Sequence, residues 1–228
     1  MATSTNPGAR RALSPEERRR RNREEMTDAI LAAAREVMRE EGVAALNMHE
    51  VARRVGLRTQ SLYHYFSSKA ALYDALFLLG TRLLAEQQDN ALQGKTDVWE
   101  RVQAAIEGYM GFAQQHPELW RLTFERPVPG FVPSEESMEE SDRLLATARR
   151  QVAEAIEAGA MEPGLTPAEA TDFINSLMHG LTAAHMANEP HLPAGTGRFG
   201  GLLPAAVAFL RAAWGPRQHE SYPEEPGG

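Results

Sequence analysis

The chain has 228 residues, 43% of them hydrophobic, which suffices for the core of one large domain or two small ones. It contains no cysteine, which excludes disulfides and thiolate metal sites, and no stretch approaches the roughly 20 apolar residues of a membrane span. The net charge of −7 divides unevenly: residues 1–69 hold 13 Lys and Arg against 9 Asp and Glu, and the rest hold 11 against 22, so the basic end suits an anionic partner, nucleic acid or a membrane surface.

The opening "MATSTNPGARRALSPEE" lacks the apolar core of a secretion signal, and a soluble, cytoplasmic protein is expected. Ile30, Ala34, Val37 and Met38 recur at helical spacing and Gly42 marks a stop, giving a first core helix over 26–41. "SPEE" supplies Ser14 as cap, Pro15 at the first helical position and Glu17 as the capping-box acid, so this helix can begin at Pro15, with Glu16 and Glu17 expected to pair with Arg20 and Arg21. Asn47 with Glu50 three residues on is a second capping signal. It starts a two-turn helix that ends at Gly56, and another short helix runs to about Tyr65 before a longer one over 68–90. Two short helices joined by a tight glycine turn form a helix-turn-helix, whose second helix is shaped for the major groove.

Val98, Val102, Ile106, Tyr109 and Ala113 mark the next helix, which ends near His116, and Pro117 starts a short one. "PVPGFVPS" breaks the chain with three prolines in eight residues, and a long amphipathic helix follows from Ser134 to about Ala158. "TPAE" at 166–169 opens a helix to about Asn188, a Pro/Gly-rich linker follows, and a final helix covers 200–214. No alternating strand pattern or internal repeat is present. The expected fold is all-α with about nine helices: a basic extension (1–25), a three-helix domain carrying the helix-turn-helix (26–72), a second helical domain (73–215) and a disordered tail (216–228).

The segment "ILAAAREVMREEGVAALNMHEVARRVGLRTQSLYHYFSSKAALYDAL", with its helix–Gly–helix-turn-helix spacing and "LYxYFxSK" ending, resembles the tetracycline-repressor (TetR) family of bacterial transcriptional regulators. The shorter "HPELWRLTF" and "LMHG" are similar to ligand-domain strings of that family. The resemblance implies double-stranded DNA as partner. In the reading helix, Thr59, Gln60 and Ser61 offer short polar groups to the groove floor, with Arg58 at its start able to reach a guanine edge or a phosphate. Tyr63 and His64 stand where the family places phosphate-contacting rings, and Lys69 opens the next helix, where its charge adds to the helix N-terminus. Asn47 and His49 lie at the start of the preceding helix, where relatives often carry a DNA-contacting polar residue. The run "RRRRNR" at 18–23 is either a solvated face balanced by glutamates or a basic arm that adds phosphate or minor-groove contacts.

The resemblance also implies a homodimer on a palindromic operator, released by a small-molecule effector. Leu203, Val207, Leu210 and Trp214 form an apolar stripe, and "GLTAAHMA" offers small residues, so the last two long helices are the expected dimer interface, with burial inside one chain as the competing reading. The effector is expected to be largely apolar, among Tyr109, Met110, Phe112, His116, Trp120 and Phe124 from the middle helices and Phe173, Met178 and His179 from the eighth. No cofactor, metal site or catalytic group is expected: the seven histidines are scattered, without a metalloprotease pair, and no phosphate loop or nucleophile elbow occurs. The alternative function is a helical interaction protein whose DNA-binding module has degenerated, left open by Arg58 and Gln60.

Overall fold

The computed structural model describes residues 14–216. Residues 1–13 of the basic extension and 217–228 of the expected tail lie outside the described residues. The helices are α1 (Pro15–Glu41), α2 (Met48–Arg54), α3 (Thr59–Leu62), α4 (Lys69–Leu92), α5 (Val98–Gln115), α6 (Pro117–Trp120), α7 (Glu135–Glu157), α8 (Pro167–Asn188), α9 (Gly197–Gly200) and α10 (Leu203–Trp214). A 3₁₀ turn (Val43–Ala45) precedes α2, and α6 runs on into a π-helical turn (Arg121–Glu125). No strand occurs among the described residues, and the fold is all-α. Nine of these helices are those expected from the sequence. The tenth, α9, is a single turn within the Pro/Gly-rich linker, so the final helix begins at Leu203 rather than 200, with Pro204 in its first turn.

The chain separates into two compact units at Leu72/Tyr73. In the first, α1 packs on α2 and α2 on α3 around Ile30, Ala34, Val37, Met38, Leu46, Val51 and Leu62. Gly56 shapes the turn between α2 and α3. Its φ of +69° is a left-handed conformation that glycine adopts without a Cβ penalty. With it, the Gly56 and Leu57 amides donate to the Arg53 and Ala52 carbonyls, closing the end of α2 in a Schellman motif that turns the chain into α3.

Polar contacts in this unit depart from two expectations. The Ser14 capping box forms completely, but it draws Glu17 onto the Ser14 amide, and Arg20 and Arg21 pair forward with Glu24 (3.7 Å) and Glu25 (3.2 Å) instead of back. At α2, Asn47 Oδ1 accepts the His49 amide (2.9 Å), whereas Glu50 binds Arg53 (2.7 Å) and Arg54 (2.9 Å) rather than closing the box. Arg54 also reaches Glu40 of α1 at 2.6 Å and so ties these two helices together. The two guanidiniums hold the Glu50 carboxyl down to about 2 from its ordinary 4.5. A depressed carboxyl stabilises the fold above its unfolded value, and that contribution is lost as pH falls from about 4.5 toward 2. Glu50→Gln is therefore expected to weaken amide-exchange protection of α2 at pH 7 and to flatten the acid loss of that protection. Equal pH profiles for both proteins would refute this role for Glu50. Exchange is the proper readout because all three tryptophans, Trp99, Trp120 and Trp214, lie in the second unit.

The second unit is built on α5, α7, α8 and α10, whose shared core holds Trp99, Val102, Ile106, Met161, Ala170, Ile174, Leu203, Val207, Leu210 and Trp214. This corrects the expected dimer stripe. Leu203, Val207, Leu210 and Trp214 face inward onto α5 and α8, and the outward face of α10 carries Leu202 just before its start and Phe209. Thr166 and Glu169 complete the expected capping box of α8. Further along α8, His185 is fully buried against α9, where Gly200 lets the imidazole approach: a Cβ there would sit 3.1 Å from Nδ1.

Candidate functional site

The reading helix α3 is barely more than one turn long. Its backbone enters at Arg58 in an extended conformation, and the Arg58 carbonyl accepts the amides of Ser61 (2.8 Å) and Leu62 (3.2 Å). Leu62 is completely buried and anchors the turn, so Arg58 and Gln60 are exposed and Thr59 and Ser61 half-buried. Tyr63 (46% exposed) and His64 follow at its C-terminal end, with Phe66 buried and Tyr65 half-buried behind them. Ser68 caps α4 by accepting the Ala71 amide (3.0 Å), and the Lys69 ammonium donates to the Ala44 carbonyl (3.2 Å). His49 is exposed on the first turn of α2, whereas the Asn47 carbonyl oxygen is committed to capping that turn. This arrangement places hydroxyls, an amide and cations on and around α3, the donor and acceptor set that base edges and phosphates require.

Sequence reasoning missed the part played by Arg23. Its guanidinium donates to the His64 carbonyl (3.3 Å) and lies over the Tyr65 ring at 5.4 Å from the centroid, fastening α1 to the end of the reading helix. The arginine run was the available signal, but it could not show which arginine turns inward.

In the second unit, four of the nine expected effector residues converge. The Tyr109 hydroxyl accepts the Trp120 indole N–H (2.9 Å) and lies 3.0 Å from His179 Nδ1. Indole can only donate, so the phenol proton is available to His179 Nδ1 in the tautomer that carries its hydrogen on Nε2. Burial pushes the Tyr109 phenol up, which keeps that proton in place. Trp120 stacks on His179 with centroids 5.5 Å apart, and Phe124 meets Tyr109 edge-on at 5.2 Å. The others lie elsewhere: the Met110 sulfur accepts the Gly195 amide (3.4 Å), Phe112 meets His116 at 5.5 Å, and Met178 packs on the core of α5, α7, α8 and α10. Phe173 is 52% exposed and leans on Trp214 at 5.3 Å, on the outer face of α8 and α10.

Two further polar features had no clear sequence signal. The Gln114 amide lies 3.0 Å from His185 Nε2 and against the Leu192 carbonyl. The Thr123 and Thr182 hydroxyls and His185 Nδ1 are buried with no hydrogen-bond partner among the described residues. Also among the described residues, no His, Asp and Glu cluster could hold a metal, and no helix is long and apolar enough to cross a membrane.

Residues 30–76 match the family model of "Bacterial regulatory proteins, tetR family", and residues 102–214 match that of the "Tetracyclin repressor-like, C-terminal domain". The chain belongs to the TetR family. Its N-terminal match, over the helix-turn-helix, is to a family of bacterial regulatory proteins. Among curated TetR-like relatives, it is 36% identical over 103 residues to the HTH-type transcriptional activator FasR of Mycolicibacterium smegmatis, covering 45% of this chain and 47% of FasR. The chain thus spans about half the length of the curated relatives it matches. Among solved structures, a protein of unknown function from Rhodococcus sp. RHA1 shares the fold with a TM-score of 0.70 at 22% identity, over 84% of this chain and 95% of that one. FadR from Bacillus subtilis, solved in complex with stearoyl-CoA, shares it with a TM-score of 0.64 at 18% identity, over 81% and 97%.

Proposed function

We propose that this TetR-family regulator is a cytoplasmic homodimeric repressor that grips a palindromic operator through α3 and lets go when a small, largely apolar effector binds among α5, α6 and α8. The observation that carries this reading is the outer face of α8 and α10. There Phe173, Leu177, Leu181, Leu202 and Phe209 line an apolar groove of about 460 Å³, with Phe209 78% and Leu202 48% exposed. A second copy of the chain fits such a face, and a dimer carries two reading helices to half-sites about 34–36 Å apart. Arg58, Thr59, Gln60 and Ser61 then read bases, and Tyr63, His64 and Lys69, with His49 and Asn47 beside them, hold phosphates.

For the effector, Tyr109, Trp120, Phe124 and His179 form an aromatic wall with one hydrogen-bonded polar point, and the unpartnered Thr182 hydroxyl sits one turn from His179 on α8. A fatty-acyl thioester is the first class to test, because FadR, of the same fold, binds one. Binding shifts the population toward a dimer whose reading helices are wrongly spaced.

The test is a shift assay with DNA upstream of the protein's own gene, with and without stearoyl-CoA. A salt-sensitive complex is expected, weakened in Tyr63→Ala and Lys69→Ala and dissolved by the thioester. Each lost phosphate contact lowers the log–log salt slope by about one unit. A complex that tightens with thioester would make the protein an activator of the kind FasR is named for. No retardation of any genomic fragment at low salt would favour the degenerate-module alternative.

A further inference from the structure

Helix α1 begins at Pro15, yet its first buried side chain is Ile30, so roughly four turns run ahead of the core. Traced back from Ile30 along the face that holds Ala34, Val37 and Met38, helical spacing passes Met26 and Thr27 and reaches Arg23, then Arg19. An apolar stripe thus becomes an arginine stripe where the helix overruns its domain. Glu17, Glu24 and Glu25 lie roughly 120–140° around the helix from this stripe, with Arg21 directly opposite it. Arg20 and Arg21 are tied to Glu24 and Glu25, and Glu17 to the Ser14 cap, while Glu16 shares the stripe at the outer tip.

The face matters because of what Arg23 touches. Its contacts with the His64 carbonyl and the Tyr65 ring set this side of α1 beside the C-terminal end of the reading helix, next to exposed Tyr63 and His64. Arg19 is exposed one turn farther out, about 6 Å along the axis, within the span of an arginine side chain.

We infer that Arg19 is a DNA-backbone contact outside the helix-turn-helix, binding a phosphate that flanks the major-groove site, with Arg23 as the positioning residue that aims the overhang. This rests on α3 docking in the groove. Arginine suits the task because its planar fork can hold two phosphate oxygens at once. The contact carries no base readout: it widens the footprint and raises affinity on every sequence alike.

The test measures binding of the full chain to a mixed-sequence duplex across a salt series, a probe that needs no knowledge of the operator. Arg19→Ala is expected to lower the salt slope by about one unit for each protomer bound, and Arg21→Ala, on the opposite face, to leave it unchanged. Arg19→Lys should restore most of the slope, and Arg23→Ala should reduce the slope as Arg19→Ala does. An unchanged slope in Arg19→Ala, or equal losses in Arg19→Ala and Arg21→Ala, overturns the inference. Lys69→Ala separates the two levels. A slope lost there but kept in Arg19→Ala sinks the flanking contact alone, and a slope kept in both sinks the docking of α3 as well.

Discussion

Phe209→Glu is expected to turn the protein into a monomer and to remove specific operator binding without unfolding it. Phe209 is 78% exposed, so the fold itself gains little from its ring, and thermal unfolding should barely move. Across a two-fold interface, however, every contact is made twice, and fully burying a phenylalanine contributes about 1.5–3 kcal/mol. Glutamate forfeits that burial in both copies and brings two carboxylates into an apolar seam, where an unpaired charge is costly. One reading helix alone grips only half a palindrome, so affinity should fall at least about a thousand-fold, toward the non-specific level. Sedimentation equilibrium and a shift assay on the operator check both halves. A Phe209→Glu dimer that still binds would show that α8 and α10 do not form the seam. Val207→Ala, a change two positions away but inside the core, should give the opposite pattern: lower stability and an intact dimer.

That contrast explains which parts of the molecule the sequence made legible. Helix starts were readable because capping is local: Ser14 with Glu17 and Thr166 with Glu169 form both halves of their boxes within four residues. The helix-turn-helix was readable because Gly56 must take a left-handed φ at that turn. The inner face of α10 was not, because that helix is apolar on two adjacent faces. Leu203, Val207, Leu210 and Trp214 recur with the same spacing as Leu202, Ala206, Phe209 and Ala213, and only packing against α5 and α8 decides which set is inside. Glu50 misled for a related reason. Its spacing from Asn47 fits a capping box, but two arginines, three and four residues on, attract a carboxylate more strongly than one amide does.

The aromatic cluster around Tyr109 shows the same limit. Tyr109, Trp120 and Phe124 are near one another along α5, α6 and the π turn, so sequence proximity found them, while His179 arrives from 70 residues away. Phe173 lies six positions before His179, which places it roughly 120° around α8, and it turns to Trp214 instead. Sequence proximity selects elements, whereas helical phase selects partners.

The reading helix itself offers the second large effect. At four residues, α3 is far too short to persist by helix propensity, and it holds its place through Leu62, a side chain with no exposure at all. Leu62→Ala is expected to destabilise the first unit by about 2–5 kcal/mol, the range for leucine truncation in a packed core, and to abolish DNA binding even where α1 and α2 remain folded. Amide exchange in α1–α3 reports the first effect and a shift assay the second. Leu62→Met, which conserves volume, should cost under about 1.5 kcal/mol and keep the complex. Gln60→Ala should leave stability alone and alter only the preferred sequence, since Gln60 is exposed and touches no core. If Leu62→Ala binds the operator as tightly as wild type, α3 is positioned by something other than its one buried side chain, and the backbone turn at Gly56 is the place to look.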